Sequence, residues 1–104
     1  MIEIENRTVE RGAVIAVRGQ VDMSTSPALR RALRECVAAQ AALLVVNLTA
    51  VGYMDSSGVA TMVEGLKASQ SGGKSFVLLK PSESVMKVLQ LARLDSVFTI
   101  KDAL

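Results

Sequence analysis

The chain has 104 residues and a formal net charge of +2 at pH 7; half of it is apolar and about a fifth charged, which suits one globular domain with a single core and argues against disorder. It holds no histidine and one cysteine, so a disulfide framework, a Cys/His zinc site and a Ser-His or Cys-His nucleophile pair are excluded within it. Aromatic residues number three, which implies an aliphatic core without stacking platforms for single-stranded nucleic acid; Arg30, Arg31 and Arg34 cluster, but no reading module accompanies them.

Residues 2 to 9 alternate apolar and polar, with Ile2, Ile4 and Val9 separated by charged or polar positions, and Arg11-Gly12 marks a turn, so an edge strand hairpinned to the next is expected. Val14 to Val17 lead through Gly19-Gln20-Val21-Asp22, a second strand ending in a polar turn. Ser24-Thr25-Ser26-Pro27 then offers a choice of caps with proline at the first helical position. Leu29, Leu33, Cys36 and Val37 hold one face of the next helix, where Cys36 acts as a small buried hydrophobe.

Leu43 to Leu48 is short, branched and interrupted only by Asn47, as in a strand buried on both faces. Beyond it, Val59, Met62, Val63 and Leu66 recur at helical spacing, and Ser71-Gly72-Gly73 closes that helix as a glycine C-cap. Phe76 to Leu79 makes another buried strand. Ser82 caps a third helix with Val85, Val88, Leu89 and Ala92 on its inner face, Val97 to Ile100 forms a last short strand, and Lys101 to Leu104 allow at most one helical turn. The expected fold is α/β in the order β-β-α-β-α-β-α-β: a mixed, mostly parallel sheet of four or five strands with an N-terminal hairpin and three helices, or four, in one domain over residues 1–104.

The turn between the third strand and the second helix, Asp55-Ser56-Ser57-Gly58, stands out. Either Asp55 or Ser56 supplies an ordinary N-cap. One cap is enough, however, and binding sites in open α/β sheets gather beyond the carboxyl ends of the strands. A hydroxyl there sits at the positive end of a helix dipole, where free backbone amides are expected to receive a phosphate. Plain capping and a modified, partner-contacting turn are both open on residue chemistry. The same holds for Asp22, either a turn or cap aspartate before the first helix or part of a binding surface.

Two serines and an aspartate in one turn without histidine leave no base identifiable by spacing, so no enzyme, metal or cofactor is expected. The glycines make neither a Walker A loop nor a dinucleotide fingerprint. The amino-terminal segment lacks a basic region and a long apolar run, and no stretch reaches membrane-span length; a cytoplasmic location without signal peptide or membrane insertion is expected.

Tyr53-Met54-Asp55-Ser56-Ser57-Gly58 after a buried strand, Gly19-Gln20-Val21-Asp22, Gly72-Gly73 and Leu89-Gln90-Leu91-Ala92-Arg93-Leu94-Asp95, spread over nearly the whole chain, resemble STAS domains, and among them the single-domain bacterial anti-sigma factor antagonists. The resemblance implies the STAS fold and a regulatory cycle. A GHKL-type serine kinase that is also an anti-sigma factor phosphorylates the first serine of the turn, here Ser56, with Ser57 as second choice. The unphosphorylated antagonist binds that kinase and frees its target; phosphorylation breaks the complex and a serine phosphatase restores it. Asp22, Ser24, Thr25, Asp55, Ser57 and Gly58 are then partner-binding, with Ser57 otherwise completing the cap and Gly58 either leaving room for a partner's backbone or simply tolerated in the first helical turn, and the free protein is a monomer or weak dimer. Small STAS proteins also serve as accessory subunits on the ATPase of a phospholipid-trafficking ABC transporter, the alternative function. Departures from the family pattern are Gln20 where glutamate is frequent, Ala60-Thr61 where a small glycine-containing stretch is common, and an end where a further helix is often found.

Overall fold

The computed structural model describes residues 2–39 and 41–103. Strands β1 (Ile2–Val9) and β2 (Gly12–Val21) form the hairpin, and α1 (Ser26–Ala38), β3 (Leu43–Met54), α2 (Ser56–Ser71), β4 (Ser75–Leu79), α3 (Glu83–Leu91) and β5 (Thr99–Lys101) come after it. The five strands lie in chain order across one sheet, β1 antiparallel to β2 and every other pair parallel. Each parallel pair is joined through a helix, as such pairs require.

The three helices share one face of the sheet, because Leu29, Leu33 and Cys36 of α1, Val59 and Met62 of α2, and Val85 and Leu89 of α3 join one buried cluster with Ile15, Val17, Leu44, Val46, Leu48, Phe76 and Leu78. Alternate residues of β3 enter a second cluster on the other face, where Val45 meets Val77 and Leu79. That is the two-sided burial read from its sequence. Cys36 is buried and accepts a hydrogen bond from Asn6 Nδ2 at 3.3 Å, and burial pushes its thiol up.

Ala92, expected on the same face of the third helix as Val85 and Leu89, is instead the exposed C-cap beyond its last residue, and three further details differ from expectation. First, β3 runs past Leu48 to Met54. Asn47 Oδ1 accepts from the amide and hydroxyl of Thr49 (3.0 and 2.7 Å), and the register against β2 slips twice, so β3 bends without ending. Such bulges redirect a strand, and Gly19 stands at the second slip with φ +110°, which a side chain would resist. Second, the buried side of α2 is lined by Gly58, Thr61, Gly65 and Ser69 as well as Val59 and Met62, while Val63 and Leu66 are half-buried. Small residues let this helix lie close to the sheet. Third, the last strand is Thr99–Lys101, with Val97 exposed ahead of the buried Phe98. Lys101 therefore belongs to a strand, residues 102 and 103 are not helical, and Leu104, the end of the expected turn, lies outside the described residues.

Past Asn47, where its pairing with β4 stops, β3 has β2 on one side and α3 on the other. Ser82 takes over the role of a neighbouring strand: its amide donates to Leu48 O (3.3 Å) and its hydroxyl to Val51 O (2.6 Å), while the same hydroxyl accepts from Val85 N as the expected N-cap. This clamp holds the part of β3 that carries Asp55.

Candidate functional site

β2 and β3 end side by side, Val21 opposite Met54, and each is followed at once by an aspartate. Asp55 N donates back to Val21 O at 3.1 Å, which ties the two turns together. Asp22 Oδ1 accepts from Ser24 N (2.9 Å), Ser24 Oγ (2.6 Å) and Thr25 N (3.1 Å). Asp55 Oδ1 accepts from Ser57 N (2.9 Å), Ser57 Oγ (2.5 Å) and Gly58 N (3.3 Å). The same Asp-X-Ser turn has thus been built twice at one end of the sheet. The carboxyl of each aspartate is held below its ordinary value, chiefly by the serine hydroxyl two residues on; desolvation opposes this in both, and the charge of Asp22 also raises Asp55.

The two turns differ in how each joins its helix. Asp55 is itself the N-cap of α2. Asp22 belongs to a turn ahead of α1, whose N-cap, Thr25, makes no side-chain cap bond; the Thr25 hydroxyl instead donates to Gln20 O and accepts from Asp22 N, both at 2.9 Å. Thr25 is buried and turned inward, and so is not placed as a partner-contacting side chain.

Of the hydroxyls in the two turns, Ser24, Thr25 and Ser57 are committed. Ser56, at the first position of α2, is exposed, and its hydroxyl has no hydrogen-bond partner among the described residues. The first turn of α2 is anchored from below, where the buried Thr61 donates to Ser57 O at 2.8 Å.

Two expectations are corrected. The amides of Ser57 and Gly58 are taken by Asp55 Oδ1 and that of Val59 by Asp55 O, so the head of α2 is not a free amide cradle for a phosphate, although its dipole remains. Gly58 does not leave room for a partner, since it is buried and a Cβ there would lie 2.5 Å from Met54 Cγ and 2.8 Å from Val21 Cγ1. The space beside it is filled from within the core. Sequence reasoning also missed Met23, 80 % exposed, and Tyr53, 50 % exposed, at the same end of the sheet. The visible signal was a methionine inside an otherwise polar turn. Among the described residues no cluster of three metal-ligating side chains occurs, and no helix is long and apolar enough to cross a membrane.

Fold and site define an α/β domain that holds one exposed, uncommitted hydroxyl at a helix start, next to the aspartate that caps the helix and in one of two paired aspartate turns. Comparison with known proteins carries this further. The sequence model of the STAS domain matches residues 3–104, and the chain belongs to that family. The anti-sigma-B factor antagonist of Listeria monocytogenes is 29 % identical over 101 residues, which cover 97 % of this chain and 88 % of that one. An anti-sigma factor antagonist from Mycobacterium paratuberculosis superposes with a TM-score of 0.90 at 25 % identity, over all of this chain and 88 % of the other. The anti-sigma factor antagonist SpoIIAA shares the fold in its unphosphorylated form (TM-score 0.80, 23 % identity, 94 % of this chain and 87 % of that one). It does so also as the phosphorylated Bacillus cell fate determinant (0.74, 22 %, 94 % and 90 %).

Proposed function

We propose that this STAS domain is an anti-sigma factor antagonist of the partner-switching kind. Unphosphorylated, it binds a GHKL-type serine kinase that doubles as an anti-sigma factor, and so releases the kinase's target. Phosphorylation of Ser56 breaks the complex, and a serine phosphatase restores it. The observation that carries this reading is the state of the hydroxyls: Ser56 is exposed and uncommitted, while Ser57 is spent on Asp55 and Ser24 on Asp22.

In the transfer, Ser56 Oγ bonds to the γ-phosphorus of ATP as the bond to the β-phosphate oxygen breaks; ADP leaves, and the hydroxyl proton passes to the kinase or solvent. The product carries about −1.5 to −2 charges next to the carboxylate of Asp55, with Asp22 close enough to influence Asp55. A phosphate at this place finds the amides of Ser57 and Gly58 already occupied by Asp55. Its charge is left to act on whatever is docked against the turn. Asp22, Ser24 and Asp55 contribute the surrounding surface, and Met23 and Tyr53 add exposed apolar area to it.

The test is incubation with ATP and each GHKL-type serine kinase encoded near the gene, followed by fragmentation mass spectrometry. One phosphoryl group on Ser56, abolished by Ser56→Ala and coinciding with release from the kinase, is expected. No phosphate with any of them, alongside a stable complex with a transporter ATPase that ignores Ser56→Asp, would replace this reading with the transport-accessory one.

A further inference from the structure

Helices α1 and α2 come after neighbouring parallel strands, so they run alongside each other and both start at the end of the sheet that carries the twin aspartate turns. Between them lies an open groove of about 280 Å³. Its walls are apolar: Leu33 and Val37 of α1 face Gly65 and Ala68 of α2. Leu33 is buried, Val37 half-buried and Ala68 exposed, so the groove is a true recess with an accessible lip. The small residues on α2 create it, since a longer side chain at position 68 would occupy the space.

At the turn end, Thr61 reaches the groove wall while its hydroxyl holds Ser57 O, which joins the groove to the Ser56 turn through one bonded contact. Arg30 grips Glu64 across the groove with Nε and Nη2, at 3.1 and 3.0 Å, and that pair neutralises itself. Beyond it Arg34 and Lys67, one on each rim, are exposed and have no ion-pair partner among the described residues. The groove therefore offers an apolar floor, two uncompensated positive rims and direct continuity with the proposed kinase-contacting turn.

We infer that the α1–α2 groove is a second docking site for the protein partner that acts on Ser56, filled by a segment carrying an apolar side chain flanked by carboxylates. This rests on the partner-switching reading and extends it. The apolar side chain enters between Leu33, Val37 and Ala68, and the carboxylates meet Arg34 and Lys67. A site of this kind lies helical turns away from the acceptor hydroxyl, so it holds the partner without taking part in phosphoryl transfer. Interactions that bind ground state and transition state alike alter KM and leave kcat unchanged.

The experiment is steady-state phosphorylation of the wild type, Arg34→Glu/Lys67→Glu and Ala68→Tyr by the nearby GHKL-type kinase, with amide spectra to establish that each variant is folded. Charge reversal on both rims is expected to raise KM by about tenfold or more, as like charges face each other across the contact, with kcat unchanged. Ala68→Tyr, which plugs the groove without altering charge, raises KM in the same manner. A KM for Arg34→Glu/Lys67→Glu within twofold of wild type overturns the inference while phosphorylation of Ser56 still supports the function on which it rests. Absence of any phosphoryl transfer to wild-type Ser56 overturns both. Sedimentation velocity on the free protein covers the other occupant: self-association abolished by Ala68→Tyr would assign the groove to a second copy of this chain and refute a partner segment there.

Discussion

Gly58→Ala separates the interior role of that glycine from a surface role. The added methyl would lie 2.5 Å from Met54 Cγ and 2.8 Å from Val21 Cγ1, and both side chains are fully buried. Carbon atoms rest at about 3.5 to 4.0 Å, so the neighbours must retreat by roughly 1 Å. Met54 can swing its flexible thioether aside, but Val21 is branched at Cβ and sits on the strand that carries the Asp22 turn, so the cost falls mostly on β2. Overpacking of this kind costs about 1 to 3 kcal/mol. Replacing glycine by alanine in a helix returns up to about 1 kcal/mol, and less in the first turn. The net is a loss of about 1 to 2 kcal/mol, which for a domain near this size lowers Tm by roughly 5 to 10 °C. Urea unfolding and calorimetry of the two proteins measure it. A variant as stable as wild type, with kinase binding lost, would refute the packing argument and return Gly58 to the partner surface.

Four further outcomes are expected. Ser57→Ala loses about 1 kcal/mol for the hydroxyl bond to Asp55 yet is still phosphorylated at Ser56, whereas Ser56→Ala stays within about 0.5 kcal/mol of wild type and takes no phosphate; denaturant curves and mass spectrometry read both. Ser82→Ala removes the cap of α3 and the clamp on Val51 O and costs about 1 to 2 kcal/mol, with hydrogen exchange accelerated in residues 48–55. Ser69→Ala raises stability by about 1 kcal/mol, since it removes a buried hydroxyl that has no partner among the described residues. The folded-state pKa values of Asp22 and Asp55 lie below their unfolded values. Their contribution is therefore fully present above about pH 4, near the unfolded aspartate value, and is lost as pH falls through the depressed pKa values. An Asp22→Asn/Asp55→Asn variant that kept the full acid sensitivity of wild type would contradict this.

The order of elements was legible because hydrophobic period and caps agree along most of the chain. Ser82, for example, caps α3 as its position before Glu83 and Val85 suggests. The length of β3 was not, since Asn47 and Thr49 look like the end of a strand when they are in fact a bend within it, visible only against the register of β2. Asp55-Ser56-Ser57-Gly58 marked the candidate site in the sequence, but which of its hydroxyls are hydrogen-bonded was not legible. A sequence shows which groups can donate, and geometry decides which have done so: Ser57 and Ser24 are occupied and Ser56 is not. The inward turn of Thr25 and the packing of Gly58 against Met54 and Val21 escaped for the same reason, both being contacts across a turn or between segments far apart in the chain.

On the partner-switching reading, the duplicated turn lets a charge at Ser56 act without refolding the domain. Asp55 already satisfies the amides of Ser57 and Gly58, and Thr61 fixes Ser57 O from beneath, so two of the amides at the head of α2 are closed to a phosphate. A phosphate competing for those amides would have to displace a carboxylate held by three donors. Remaining in solvent is the lesser cost, and the added charge then lies beside Asp55 and near Asp22, where any acidic or apolar surface pressed against Met23 and Tyr53 must desolvate it. On the partner-switching reading the energy of the switch is thus spent at the contact. Amide spectra of Ser56→Asp and wild type are expected to overlay except for residues in the two turns; changes spread through β4 and α3 would mean that the modification reaches the core and that the fold itself is the switch.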